Sequence, residues 1–299
     1  MDELKKILQL KKERKAIILA HNYQRSDVQD VADFVGDSFG LSKTAVSSAA
    51  ETIVFCGVDF MAESAAILNP EKTVLLPELS AQCPMAAMIP PASLRLEKKK
   101  YPDAAVVCYV NTPASVKAQS DICCTSANAI KVVNVQEEDE ILFVPDRNLA
   151  LYVAKHTDKK IIPWNGYCPT HHLILPGDIL LEKEEHPEAE ILVHPECRPD
   201  VVSLADQVLS TSGMLKYAKQ STSKEFIIGT ELGLLHRLNQ ENPGKLFFPA
   251  TKYAVCPNMK MNTLASILRA LENNEHIIKI PENIRIRAKS ALDRMLEVF

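Results

Sequence analysis

The chain has 299 residues, 46% of them hydrophobic and 24% charged, the balance of a soluble globular protein with room for more than one core. A net charge of -4 excludes an electrostatic footprint for nucleic acid or an anionic membrane, and no segment stays apolar long enough to span a bilayer. Eight cysteines with no signal peptide ahead of them predict a cytoplasmic protein whose thiols are ligands, catalysts or buried apolar groups, not a disulfide framework.

The first predicted element is an amphipathic helix, MDELKKILQLKKERK, with Leu4, Ile7 and Leu8 at helical spacing among lysines. It runs into a short apolar strand at 17–20. A brief second strand in DFVGDS follows, then a helix opened by Ser38, a third strand in TIVFCGV and a helix opened by Asp59. A last strand in TVLLP leads through a loop to Cys83-Pro84. The same order then restarts. A helix stops at Tyr101-Pro102, because proline ends helices and restricts the residue before it. Lys98, Lys99 and Lys100 are its solvated end. A strand at 106–109, then DICCTS, SANAIKVV, EILFVP, DRNLALYVAKH and KIIPW, leads to Cys168-Pro169. The third pass stops its first helix at His186-Pro187. It continues through a strand at 191–193, DQVLSTS, TSGMLKYA, EFIIGT, ELGLLHRLNQ and KLFFP to Cys256-Pro257. Two further helices, near 263–272 and 281–296, are expected to cover an exposed face.

The polar residues repeat with the elements. Just past the first strand stand His21 and Tyr23, Tyr109 and Asn111, and His194 and Glu196. From the first of each pair to Ser38, Ser126 or Thr211 the spacing is 17 in all three passes. From there to Asp59, Asp146 or Glu231 it is 21, 20 and 20, and onward to the cysteine 24, 22 and 25. Register this tight argues for internal triplication. Strands alternating with helices imply parallel sheets and right-handed crossovers. The expected fold is α/β: three pseudo-threefold-related α/β/α repeats, each with a four-stranded parallel sheet, at 1–89, 90–174 and 175–260. A helical extension occupies 261–299. Ligands bind beyond the carboxyl ends of such strands. The expected site is therefore an enclosed cavity at the central interface, suited to a small anionic substrate.

Cys83, Cys168 and Cys256 hold equivalent loop positions, which core packing does not explain. Three protein ligands and an open fourth position suit zinc, or a cuboidal iron–sulfur cluster with one iron not held by the protein. No C-x-x-C ladder surrounds them, so a zinc ribbon is excluded. Cys56 and Cys108 read as small buried hydrophobes. Cys123 and Cys124, a vicinal pair, are poorly shaped to cap one metal, and Cys197 lies near the cluster without a repeat equivalent. His21 and His194 are equivalents of each other and of Tyr109. Glu196 is the only carboxylate at its repeat position and the natural general base. Ser38, Ser126 and Thr211 are expected at helix N-termini, where anions are favoured. Asp59, Asp146 and Glu231 either cap helices or act at the site. His171 and His172 would support the cysteine before them, while His156, His186, His236 and His276 belong to the surface. Walker A, G-x-G-x-x-G and G-x-S-x-G patterns are absent, which argues against a nucleotide substrate or a serine nucleophile.

The segments ILAHNYQ, DVADFVGDS, GVDFMAE, YVNTPA, TSANAIKVV, PDRNLALYVA, NGYCPTHH, HPEC, STSGM and AVCPNMK, in order from about residue 15 to 264, closely resemble the quinolinate synthase family of de novo NAD biosynthesis. The resemblance implies condensation of iminoaspartate with dihydroxyacetone phosphate to quinolinate, with loss of phosphate and two waters. It implies a [4Fe-4S] cluster on Cys83, Cys168 and Cys256 whose open iron is a Lewis acid. Ser38, Ser126, Ser210 and Thr211 would hold carboxylates and phosphate. His21, Tyr23, Tyr109 and Asn111 would orient the carbonyl and imine, and Glu196 with His194 would move protons. An L-aspartate oxidase or dehydrogenase is the implied supplier of iminoaspartate. Met259 and Asn262 stand where some members continue a C-x-x-C-x-x-C run, so disulfide control there is not expected. Ala150 replaces a frequent glycine, and Cys123 and Cys124 fall where ligands are not usual. Two other readings use the same three cysteines: a zinc lyase or hydrolase, and an iron–sulfur sensor of a small carboxylate.

Overall fold

The structure, a computed structural model, describes residues 3–298. Met1, Asp2 and Phe299, the outermost positions of the first and last expected segments, lie outside the described residues.

The first pass runs α1 (Glu3–Glu13), β1 (Ala16–His21), α2 (Ser26–Val31), β2 (Phe34–Gly36), α3 (Ser38–Ser47), β3 (Thr52–Cys56), α4 (Asp59–Leu68), β4 (Thr73–Leu75) and α5 (Pro84–Ala87). The second runs α6 (Pro91–Lys100), β5 (Ala105–Tyr109), α7 (Ala114–Lys117), β6 (Ile122–Cys124) and α8 (Ala129–Asn134). It ends with β7 (Glu140–Val144), α9 (Arg147–Ala154), β8 (Lys160–Pro163) and α10 (Pro169–His172). The third runs α11 (Pro176–Glu185), β9 (Glu190–Val193), α12 (Pro199–Val202), β10 (Gln207–Val208) and α13 (Thr211–Gln220). It ends with β11 (Glu225–Gly229), α14 (Leu234–Glu241), β12 (Leu246–Pro249) and a 3-10 turn at Met259–Met261. Two helices follow, α15 (Leu264–Asn273) and α16 (Glu282–Glu297).

Among the described residues these strands form three four-stranded parallel sheets of one topology: β2-β1-β3-β4, β6-β5-β7-β8 and β10-β9-β11-β12. The inner strands β3 and β5 are buried along their whole length, which is why they read as apolar runs without alternation. The edge strands β2, β6 and β10 have only two or three residues. Each begins just after an aspartate that extends the ladder with its side chain. Asp33, Asp121 and Asp206 accept the N–H of Ile18, Val106 and Ile191, each at 2.8 Å. Their own N–H groups donate back to the same three residues. A carboxylate thus stands in for a backbone acceptor that so short an edge cannot offer. Asp206→Ala should lower unfolding stability by about 1 kcal/mol, measured by urea denaturation. An unchanged midpoint would mean that this contact is only incidental.

Two helix starts differ from expectation. α8 begins at Ala129, so Ser126 lies in the turn before it, not at a helix N-terminus. Asn128 causes the delay: its Oδ1 takes the N–H and the hydroxyl of Thr125 at 2.8 and 3.2 Å, which closes a turn where the other repeats start helices. Likewise Glu231 does not open α14, which starts at Leu234, because its carboxylate is used elsewhere. The C-terminal helices do cover a face. α15 packs on α1 and β3, while α16 packs on α4, α7 and β6 and so ties the first two repeats together. It buries Ala288, Ala291, Leu292 and Met295 in the largest core cluster.

Candidate active site

At the carboxyl ends of the three sheets one cavity of ≈ 160 Å³ draws on all three repeats. His21, Tyr23, Ser38, Tyr109, Asn111, Ser126, His194, Glu196 and Thr211 line it, with Cys83, Cys168 and Cys256. Ser210 does not. Its hydroxyl accepts the Gly213 N–H at 3.2 Å and so serves as the N-cap of α13, as Asp37 does for α3.

The three cysteine loops are built alike. The backbone N–H of Cys83 donates to Asp59 at 3.1 Å, that of Cys168 to Asp146 at 3.2 Å and that of Cys256 to Glu231 at 3.1 Å. The same carboxylates take an N–H at the start of their own helix or turn, from Phe60, Leu149 and Gly233. Asp146 both caps its helix and holds its cysteine loop, whereas Asp59 and Glu231 hold theirs without capping α4 or α14. Each acid segment also reaches into the next repeat. Glu63, one turn after Asp59, accepts the Ala114 N–H of the second repeat at 2.7 Å. Asn148, beside Asp146, donates to the Glu196 carbonyl of the third at 3.0 Å. The Gly233 carbonyl, beside Glu231, accepts from Gln29 of the first at 2.9 Å. The ring closes after three steps.

The strand-end pairs follow one geometry where their residue types allow. Tyr23 N–H donates to His21 Nδ1 at 3.2 Å, and Glu196 N–H to His194 Nδ1 at 3.3 Å. Burial pushes both imidazoles down to about 3, so they are neutral at physiological pH. With Nδ1 accepting, Nε2 carries the proton, and His194 Nε2 can donate to Ser126 Oγ at 3.2 Å. Burial also raises the Tyr23 and Tyr109 phenols well above their usual range, with the Glu196 charge adding to it, so both remain donors.

The centre of the polar cluster is a residue that repeat matching passed over. His171, buried on α10, has Nδ1 2.8 Å from Glu196 Oε2 and 3.1 Å from Cys168 Sγ. Its Nε2 is 2.8 Å from Thr230 Oγ1, which is 2.6 Å from the Tyr23 hydroxyl. The ring stacks on His194 with centroids 4.7 Å apart. With His171 Nδ1 donating to Glu196, its Nε2 accepts from the Thr230 hydroxyl, which in turn can accept from Tyr23. Burial alone would raise the Glu196 carboxyl, but His171, with His194 and Tyr109, outweighs it and holds the group near about 2. Asn111 Nδ2 reaches the other carboxylate oxygen at 3.5 Å, and its Oδ1 is buried with no protein partner. A polar atom orphaned at a cavity wall suits a ligand donor.

A sequence profile of the quinolinate synthetase A protein family matches residues 5–297. The chain belongs to that family. It is 59% identical over 295 residues to the quinolinate synthase of Methanosarcina barkeri, covering 99% of this chain and 97% of that one. The quinolinate synthase of Thermodesulfovibrio yellowstonii is 58% identical over 297 residues, covering 99% and 98%. That of Dehalococcoides mccartyi is 58% identical over 293 residues, covering 98% and 97%. The zinc-hydrolase and sensor readings therefore give way to a quinolinate synthase scaffold.

Set against that family, the remaining cysteines sort by burial. Cys56, Cys108, Cys123 and Cys124 are buried in strands, and Cys197 donates to the Gly229 carbonyl at 3.3 Å. Cys83, Cys168 and Cys256 stay partly exposed, each just before a proline that starts a helix or turn. Burial lifts all three thiols, Cys83 to about 12, with Cys256 disfavouring charge on Cys83 and Cys83 disfavouring it on Cys168. Three soft donors that resist ionising together fit a cationic polynuclear group that would bind them as thiolates. No helix of the described residues is long and apolar enough to cross a membrane.

Proposed function

We propose that this protein makes quinolinate from iminoaspartate and dihydroxyacetone phosphate, in the cytoplasm, and holds a [4Fe-4S] cluster on Cys83, Cys168 and Cys256. The observation that carries the reading is the meeting of three equivalent cysteine loops with Glu196 and its histidines in one cavity. When bound, the cluster supplies an iron without a protein ligand, a Lewis acid for substrate oxygen or nitrogen.

The chain's own groups divide the remaining work. The N-termini of α3 and α13, with Ser38 and Thr211, offer free N–H groups and hydroxyls to carboxylate or phosphate. Ser126 adds a hydroxyl from a turn, oriented by His194. His21, Tyr23, Tyr109 and Asn111 are donors that orient the carbonyl and imine. Glu196, ionised and facing the cavity, takes a proton during isomerisation and dehydration. The chain of Tyr23, Thr230 and His171 ends in a donor to Glu196, so it orients the carboxylate and stabilises its charge before it accepts that proton. Burial of these groups keeps water from the unstable imine.

We propose further that 1–89, 90–174 and 175–260 act as three structural units, with 261–299 as their cover. An L-aspartate oxidase or dehydrogenase would supply the iminoaspartate, which hydrolyses too readily to accumulate.

The test is anaerobic purification, iron and sulfide counting, and chromatographic detection of quinolinate from iminoaspartate and dihydroxyacetone phosphate. About four irons and four sulfides per chain together with quinolinate formation are expected. A colourless protein with stoichiometric zinc and no quinolinate would overturn the proposal.

A further inference from the structure

Lys117 ends α7 and is completely buried, among the largest fully buried side chains of the described residues. A lysine without solvent keeps its charge only where the surroundings supply acceptors or an opposite charge. Its Nζ donates to the Thr112 carbonyl and lies 5.4 Å from the centre of the Phe60 ring. Glu63 on α4, in the first repeat, stands within reach of that charge without a direct ion pair to Lys117 among the described residues. Burial raises the Glu63 carboxyl, and Lys117 and the Ala114 N–H draw it back down.

The loop held in this way carries two residues of the site. Thr112 is fully buried, and its hydroxyl donates to the Tyr109 carbonyl at 3.2 Å. Its N–H donates to the Val110 carbonyl at 2.8 Å, so Asn111 sits inside a closed turn. Lys117 and Glu63 thus fix the turn from which Tyr109 and Asn111 approach Glu196. The internal repeat gives an independent check. Gln29 stands eight positions past His21, as Lys117 stands eight past Tyr109. Gln29 Nε2 donates to the Gln24 carbonyl at 2.9 Å, the contact equivalent to that of Lys117 with Thr112. One repeat pins its strand-end turn with a neutral amide, and the next does so with a lysine, while Glu63 of the first repeat holds the Ala114 N–H of the same loop.

We propose that Glu63 and Lys117 are positioning residues for the reaction, setting Tyr109 and Asn111 against Glu196 across the boundary between the first two repeats. The inference rests on the roles proposed above for those three residues. Glu63 shares α4 with Asp59, so one helix sets both the Cys83 loop and the Tyr109–Asn111 turn. An error there would misplace substrate groups while leaving the three cysteines in place.

The experiment compares wild type, Glu63→Gln, Lys117→Met and the double variant Glu63→Gln/Lys117→Gln, all loaded anaerobically. Iron per chain, circular dichroism, kcat per bound cluster and KM are read for each. Lys117→Met should keep its iron and lose roughly 100-fold in kcat/KM. Glu63→Gln retains an acceptor for Ala114 but not the charge, and should lose about tenfold. The double variant copies the neutral solution of the first repeat and should recover most of the loss of Lys117→Met. If Lys117→Met fails to fold, Glu63→Gln alone decides. Wild-type kinetics per cluster in the single variants would overturn the inference. So would activity falling only in step with iron or folded protein, or a double variant no better than Lys117→Met. An inactive wild type would instead sink the proposed function itself.

Discussion

Glu196→Gln should reduce kcat by roughly 10²–10⁴-fold while the protein keeps its colour and its iron. The substitution keeps size and shape and removes the one property the site is built around. Glu196 is 2% exposed, yet its carboxyl is held low chiefly because His171 approaches it at 2.8 Å. A base kept ionised within an apolar cavity is poised to accept a proton, and an amide is not. The amide also faces His171 with an NH₂ where a carboxylate oxygen stood, which breaks the chain to Thr230 and Tyr23 at its first link. The backbone would barely respond, since the Glu196 carbonyl remains tied to Asn148 and its N–H to His194. A Glu196→Gln enzyme that turned over like wild type would remove Glu196 from the proton transfer.

Cys168→Ala should leave a folded chain with no visible absorbance, iron well below one per chain and no measurable quinolinate. The thiol is lost while the loop is not: Asp146 still takes the N–H of residue 168, and Pro169 still opens α10. The three proposed ligands have no spare, because the other cysteines are buried in strands or committed to a carbonyl. Cys124→Ala is the matched control. It removes a sulfur from β6, costs about 1 kcal/mol of stability, and should retain cluster and activity. Iron retained by Cys168→Ala and lost by Cys124→Ala would show that the cluster is held elsewhere.

The sequence made some parts of this molecule legible because they occur three times. The strand order, the cysteine loops and the residues past each first strand keep their spacing, and a position repeated at fixed intervals signals itself. His171 does not repeat. Its counterparts beyond Cys83 and Cys256 are Ala86 and Met259, so it read only as a neighbour of Cys168 and not as the hub joining Glu196 to Thr230. Lys117 was invisible for a different reason. A lysine at the end of a short helix looks solvated until the helix across the repeat boundary is known. Ser126 and Ser210 stand differently from the pattern of their repeat positions because of local hydrogen bonding. An asparagine two residues on delays one helix, and of two adjacent hydroxyls, Ser210 and Thr211, only the structure tells which one is used as a cap.

The closed ring of grips between repeats bears on what a single chain makes possible. Glu63, Asn148 and Gly233 each reach forward into the following unit, and the third returns to the first. The order is head-to-tail and closes after three members, as in a cyclic trimer. The three grips use different positions and different groups, so three identical chains could not form them. One polypeptide lets one unit present a tyrosine and an asparagine and another a histidine and a glutamate, so that each side of the chamber has its own chemical face.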